Sequence, residues 1–423
     1  MNTDKQKTLL SVFIRVHLWL KRAFGGVPER PSMDRTKTAG FRKNLTVAAL
    51  LALLPAGGAC QEAQKAPLER EPGGWALTYR GSVPAARTLR INGHGPVTLE
   101  GGTALTFEYT VRLSVAARSE AEARSILVRA PLEVKRGESV ILTAPGGPVR
   151  ARILVKAPAL GMARIVDSDG AVDATGIEGE LDVESRIGEV TVDRIGGPCT
   201  LTTGGGDVQV GEVRGKLRCL TGGGRITLRT GRGEAVLETY GGDIVVGDAA
   251  GGVRAQTAAG NIRVHQAGGA VTAITGGGEV VIEKAGGAVT VRNLAGPVQL
   301  GAAQGGFECQ SASGGIRLTG VTGPMRVSTS LGSIVADLAG AHLADSFLAT
   351  TGGDITVLIP SNLGVTIHAE NRMADTLRRI VSEFPAIPVS RVGSRVVAQG
   401  AANGGGPLLR ISGAGGTIFI KRR

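Results

Sequence analysis

The chain is predicted to be all-β and built on a single-stranded parallel β-helix, a β-solenoid with two strands and 18 residues per rung. An N-terminal β-rich cap containing one short helix precedes it. Three observations predict this. From Gly161 to Gly332 every ninth residue is glycine, 20 in series. The second and fourth residues after each glycine are apolar or small (Val208 and Val210, Ile226 and Leu228, Ile316 and Leu318), while the third is mostly polar (Gln209, Thr227, Arg326). Alternation at period two marks a strand with one buried face. Thr203, Thr221, Thr239, Thr257, Thr275, Asn293, Ser311 and Thr329 stand 18 residues apart, each three before a glycine, and the intervening copies (Glu212, Thr230, Asp248, Gln266, Lys284, Ala302) show no such regularity. Two nine-residue halves therefore make one turn. Stacked turns share a core that no single repeat could bury. Roughly eleven rungs about 4.8 Å apart give a rod on the order of 50 Å long. Glycine is expected at the corners because it enters positive φ without steric cost. The hydroxyl column is expected to stack threonine near threonine, and two of every nine residues are expected in the core.

The elements follow in order. Residues 1–59 read as targeting sequence. Arg42 and Lys43 precede an apolar run at 45–54 and then Pro55-Ala56-Gly57-Gly58-Ala59-Cys60, the layout of a secretory signal. The run is shorter than the ~20 residues that span a bilayer. Such a signal lies close to its start, which favours Met33 as the true start, with residues 1–32 an over-extension. Gly58-Ala59-Cys60 resembles the end of a bacterial lipoprotein signal, in which Cys60 becomes the lipidated N-terminus. Gly57 stands where that signal has leucine, so plain cleavage after Ala59 is the alternative. Residues 60–86 read as a polar tether. Residues 87–160 form the cap, with strands expected at 88–91, 97–100, 105–115, 132–134 and 139–142. Its helix signal is Ser119 as N-cap with Glu122 three residues on. Such a cap keeps the first rung from pairing edge to edge. The solenoid proper spans 161–360, with a three-residue insertion between Gly332 and Gly353. Residues 361–423 are irregular, with helical spacing at Met373, Leu377, Ile380 and Val381. The beat then returns at Leu409, Ile411, Ile418 and Ile420, and these last strands are expected to close the far end.

Composition agrees with a thin coil. Aromatics are 3 % of 423 residues, since such an interior has room for Val, Ile, Leu and Ala but few rings. The formal charge of +12 divides into +7 over residues 1–59 and +5 over the rest. That surplus comes without a basic run or interleaved aromatics, which argues against nucleic-acid binding. Cys199, Cys219 and Cys309 fall on inward positions. The offset between Cys199 and Cys219 puts their Cα atoms beyond disulfide reach, so buried core thiols are expected.

Several of these residues also carry a family resemblance. The repeats Thr239-Tyr-Gly-Gly-Asp-Ile-Val-Val and Thr350-Thr-Gly-Gly-Asp-Ile-Thr-Val share the form T-x-x-G-D-I-x-V. With Ile359-Pro360, Phe384-Pro385 and a terminal G-G-G-P-x-L-x-I…G-x-I-x-I, they resemble the bacterial putative-adhesin domain family over residues 88–423. That resemblance implies an exported glycine-rich β-solenoid of largely unknown function. The motifs are structural, and no catalytic residue is carried over.

The search for chemistry on the rod is mostly negative. His94, His265, His342 and His368 are scattered, with no His-x-x-x-His, Cys-x-x-Cys or nucleophile elbow. His265 is read as solvated, without an acidic partner at rung spacing. His342, Asp345 and Asp354 lie near the insertion as a weak candidate group. Runs such as 203–207 lack the Lys-Ser/Thr ending of a phosphate loop. A calcium β-roll needs a fixed Asp in each glycine-rich nonapeptide. Here Asp207, Arg225, Asp243, Asn261, Glu279, Pro297, Gly315 and Ser333 occupy the position, so only one weak site near Asp243 and Asn261 is conceivable. A polysaccharide-acting β-helix enzyme is the other alternative, but no outward cluster of acids supports it. No catalytic residue, metal or cofactor is therefore expected. What remains is an exported, periplasmic or outer-envelope surface, lipid-anchored if Cys60 is modified. It would serve as a non-catalytic adhesin-like face or scaffold for an envelope protein or polysaccharide. Arg218, Arg254 and Arg326, at multiples of 18 residues, mark the candidate interaction face.

Overall fold

The computed structural model describes residues 64–102, 104–167, 169–338, 343–372 and 379–423, all within the compact unit Ala59–Arg423. The targeting segment, Cys60 and His342 lie outside the described residues. The chain coils through two large sheets of 19 and 18 strands. From Met162–Asp167 to Ile355–Ile359 it makes about eleven consecutive turns, alternating between the sheets. Neighbouring strands are parallel at a register of 18 residues: Ile226 faces Ile244, which faces Ile262, and Leu201 faces Cys219, which faces Leu237.

Each half-turn buries three residues, where period-two alternation alone predicts two. The third inward position forms a corner column on each side. One runs Val213, Gly231, Ala249, Ala267, Ala285 and Ala303 in direct register. The other is the Thr/Asn column, in which Thr203, Thr221, Thr257 and Thr275 are at most 3 % exposed. These threonines do not bond to one another, as stacking would have them do. Thr221 Oγ1 donates to the Gly206 carbonyl one turn back (2.8 Å) and accepts from its own Gly224 N–H (3.2 Å). Thr239, Thr257 and Thr275 repeat both bonds. The reason is stoichiometric: the corner leaves one glycine N–H and one glycine C=O per turn without a sheet partner, and a hydroxyl both accepts and donates.

The glycine series also needs a different explanation. Of its 20 members only Gly296 has a positive φ, at 97°. What excludes a side chain is the neighbouring turn: a Cβ on Gly206, Gly224, Gly242 or Gly260 would overlap the carbonyl oxygen of the glycine 18 residues earlier. At these positions the turns approach each other too closely for a Cβ.

Both ends are built out of chain order. Ser139–Thr143 and Val149–Ala157 form the outermost N-terminal coil, outside the earlier pair Thr88–Gly93 and Val97–Gly101, which alone contacts the regular turns. Two antiparallel strands, Thr106–Val115 and Gly74–Pro84, then cover the edge of this sheet. Gly74–Pro84 lies in the stretch expected to be a tether; it folds because Trp75, Leu77 and Tyr79 supply apolar surface that the cap core takes up. The cap helix is Glu120–Arg129. Its Ser119 hydroxyl accepts from the Glu122 N–H (3.2 Å), and Ala123 and Leu127 are buried. At the far end, Leu408–Gly413 and Ile418–Arg422 do not close the rod. They slot between Ser346–Thr350/Ile355–Ile359 and the outermost Val365–Asn371/Ile380–Ser382. Ile380–Ser382 is thus a strand where helical spacing predicts a helix; the rest of that predicted helix, 373–378, lies outside the described residues. An antiparallel pair, Arg395–Ala402 and Val389–Val392, covers the last parallel edge, which would otherwise template association.

Candidate interaction face

The outward positions of one sheet form a single column read off the register: Asp182, Thr200, Arg218, Val236, Arg254, Thr272, Thr290, Glu308, Arg326, Phe347 and Arg410. Arg218, Arg254 and Arg326 are exposed and aligned. They are not clustered. At strand spacing, Arg218 and Arg254 are about 10 Å apart, and Arg254 and Arg326 about 19 Å. The structure adds two residues that sequence spacing missed, Phe347 and Arg410. The insertion shifts Phe347 off the 18-residue beat, and Arg410 arrives from the segment that enters out of order. The returning alternation of Leu409 and Ile411 signals that Arg410 faces outward, but not what it faces.

The other candidates are absorbed by the scaffold. Asp345 Oδ1 accepts from Leu408 N–H (2.9 Å) and Asp354 Oδ1 from Thr417 N–H (2.7 Å), so both carboxylates seat the inserted C-terminal strands. The calcium-roll positions do the same between regular turns: Asp207 accepts from Arg225 N–H, Asp243 from Asn261 N–H and Asn261 from Glu279 N–H, each at 2.8 Å. His265 does have an acidic partner one turn on, with Nδ1 2.6 Å from Glu283 Oε2. Among the described residues no three His, Cys, Asp or Glu side chains converge as metal ligands, and no helix is long and apolar enough to cross a membrane.

Electrostatics on the rod are local. Burial raises the Asp182 carboxyl above its ordinary range, only partly offset by Arg164 beside it. Cys199, Cys219 and Cys309 are free and buried. Burial pushes Cys199 and Cys309 up to about 12 and Cys219 well above its ordinary value. These thiols are packing groups rather than nucleophiles, because the thiolate is the reactive form.

No family model matches the chain, and no curated protein matches its sequence. Among solved structures it is similar to a putative adhesin from Bacteroides fragilis at 10 % identity, covering 82 % of this chain and 97 % of that one, with a TM-score of 0.26. A putative cell adhesion protein from Clostridium sporogenes is also 10 % identical, over 82 % of this chain and 99 % of that one, at a TM-score of 0.18. A putative adhesin from Parabacteroides merdae is 10 % identical over 67 % and 90 %, at 0.24. The β-solenoid assignment rests on the strand pairing above, not on these likenesses.

Proposed function

We propose that this chain is a non-catalytic, exported cell-envelope β-solenoid that works as an adhesin-like surface or scaffold. The observation that carries this reading is the division of labour among its polar groups. Hydroxyls and carboxylates near the corners are committed to turn-to-turn bonds, and the arginines of one column are held outward on a flat sheet. Binding by such a face is distributed over several turns, so single substitutions weaken it little. Reversing Arg218, Arg254 and Arg326 together to Glu should abolish attachment to an anionic envelope partner, protein or polysaccharide, at physiological salt without altering thermal stability. If the triple variant pulls down the same partners from envelope extract, this face is not the interface. On this reading the mature chain begins at Cys60 and is anchored through a lipid on it. Intact-mass measurement finding Cys60 unmodified would remove the anchor and leave export standing.

A further inference from the structure

The outward column changes character where the repeat is interrupted. Through the regular turns it carries single arginines at intervals among Thr and Val. From Glu308 onward it reads Glu308, Arg326, Phe347, Arg410 and His368 on five adjacent strands. Within residues 162–359 the aromatics are Tyr240, Phe307 and Phe347. Phe307 is buried and Tyr240 sits at a corner, so Phe347 supplies the aromatic surface on the outer face of this sheet, while Phe419 faces outward on the other one. It is half-buried and lies directly between Arg326 and Arg410, both exposed. Neither guanidinium forms an ion pair with a described residue, although arginines such as Arg164, Arg225 and Arg263 do. Glu308 accepts instead from Gln310 Nε2 at 3.3 Å. Glu308, Arg326, Phe347, Arg410 and Asp345 line a groove of about 570 Å³, the size of a small-molecule cleft.

Residues 60–360 hold 29 Lys and Arg against 30 acids, whereas residues 361–423 hold nine against three. Of these nine cations Arg410 lines the groove, whereas Arg372 and Arg395 pair with Glu370 and Arg423 with Asp337.

We propose that this groove binds an acidic saccharide, one whose pyranose ring lies on Phe347 while its carboxylate is held by Arg326 or Arg410. The inference rests on the reading of the rod as a binding surface and names the site and ligand class. An aromatic face takes up the apolar face of a sugar ring. A planar guanidinium matches a carboxylate with two parallel bonds. Glu308 and Asp345 on the rim accept from sugar hydroxyls, and the same two carboxylates disfavour an anionic membrane or a purely acidic peptide, which offer too few donors to satisfy them.

The test uses the full chain with oligogalacturonates of three to six units, neutral oligosaccharides of the same length, and phosphatidylglycerol vesicles, read by calorimetry. Acidic oligosaccharides should bind and the neutral ones should not. Phe347→Ala and Arg410→Gln should each weaken binding at least about tenfold, while Arg254→Gln, four strands from Arg326, should leave it unchanged. Unaltered far-UV circular dichroism controls for folding. Absence of acidic-saccharide binding, equal binding of neutral oligosaccharides, equal loss with Arg254→Gln, or preference for vesicles would each overturn the site. If envelope attachment persists while oligogalacturonates fail to bind, the groove is wrong and the broader reading stands. Loss of both removes the two together.

Discussion

Replacing Thr239 with valine should open one corner of the rod while leaving its shape intact. Valine matches threonine in volume and branching, so the change removes only the hydroxyl. That hydroxyl donates to the Gly224 carbonyl at 2.9 Å and accepts from the Gly242 N–H at 3.2 Å. Gly224 is buried and Gly242 half-buried, so water replaces the second partner better than the first. A stranded buried polar group costs about 1–3 kcal/mol. The two together should come to about 2–4 kcal/mol. Stability in a solenoid is local and transmitted between neighbouring turns, so a global melting curve would blur the effect and hydrogen exchange would not. The reporting amides are those of Tyr240, bonded to the Thr221 carbonyl, and Ala258, bonded to the Tyr240 carbonyl. At 1.36 kcal/mol per decade their protection should fall by roughly 30- to 900-fold. Thr227 faces outward on the other sheet, half-exposed and without a side-chain hydrogen bond among the described residues, and Thr227→Val should change nothing there. Undiminished protection at Tyr240 and Ala258 in Thr239→Val, or an equal loss in Thr227→Val, would refute the claim that the hydroxyl ladder holds the corner.

Three further outcomes are expected. Gly242→Ala should lower the denaturation midpoint by an amount equivalent to at least about 1–3 kcal/mol of overpacking, because its Cβ meets the Gly224 carbonyl, whereas Gly223→Ala, with nothing within 4 Å, should be near neutral. Equal midpoints would show that close approach is not why the glycines are there. Ile244→Asp buries an unpaired carboxylate at a position that is 0 % exposed and should cost several kcal/mol, while Arg263→Asp on the outer face, which gives up only the surface pair with Glu279, should cost about 1 kcal/mol or less; comparable losses would sink the two-faced strand. Cys199 and Cys309 should resist thiol reagents at neutral pH until the rod unfolds. Their folded values of about 12 exceed the ordinary 9.0, so between these the native state keeps protons that the unfolded chain has lost, and stability falls as pH rises through that window. Labelling of the native chain at pH 7 would contradict their burial.

The period, the two-faced strands, the number of turns and the alignment of Arg218, Arg254 and Arg326 are all legible in the sequence. In a parallel coil the residue 18 positions away is the neighbour in space, so sequence spacing maps directly onto contact. Wherever that mapping holds, outward and inward positions can be assigned without coordinates. It does not say what a neighbour does. The glycines could equally have served positive φ, and the threonines could have bonded to one another. Only the separation of the turns at the corner decides that the first group excludes a Cβ and that the second bridges stranded glycine amides and carbonyls. Where the beat stops, the mapping fails altogether. Nothing periodic tells Leu408–Gly413 to enter between Ser346–Thr350 and Val365–Asn371, because that choice is made by Asp345 and Asp354 capturing two backbone N–H groups. The pairing of Arg410 with Phe347, and with it the groove, therefore belongs to the tertiary structure alone.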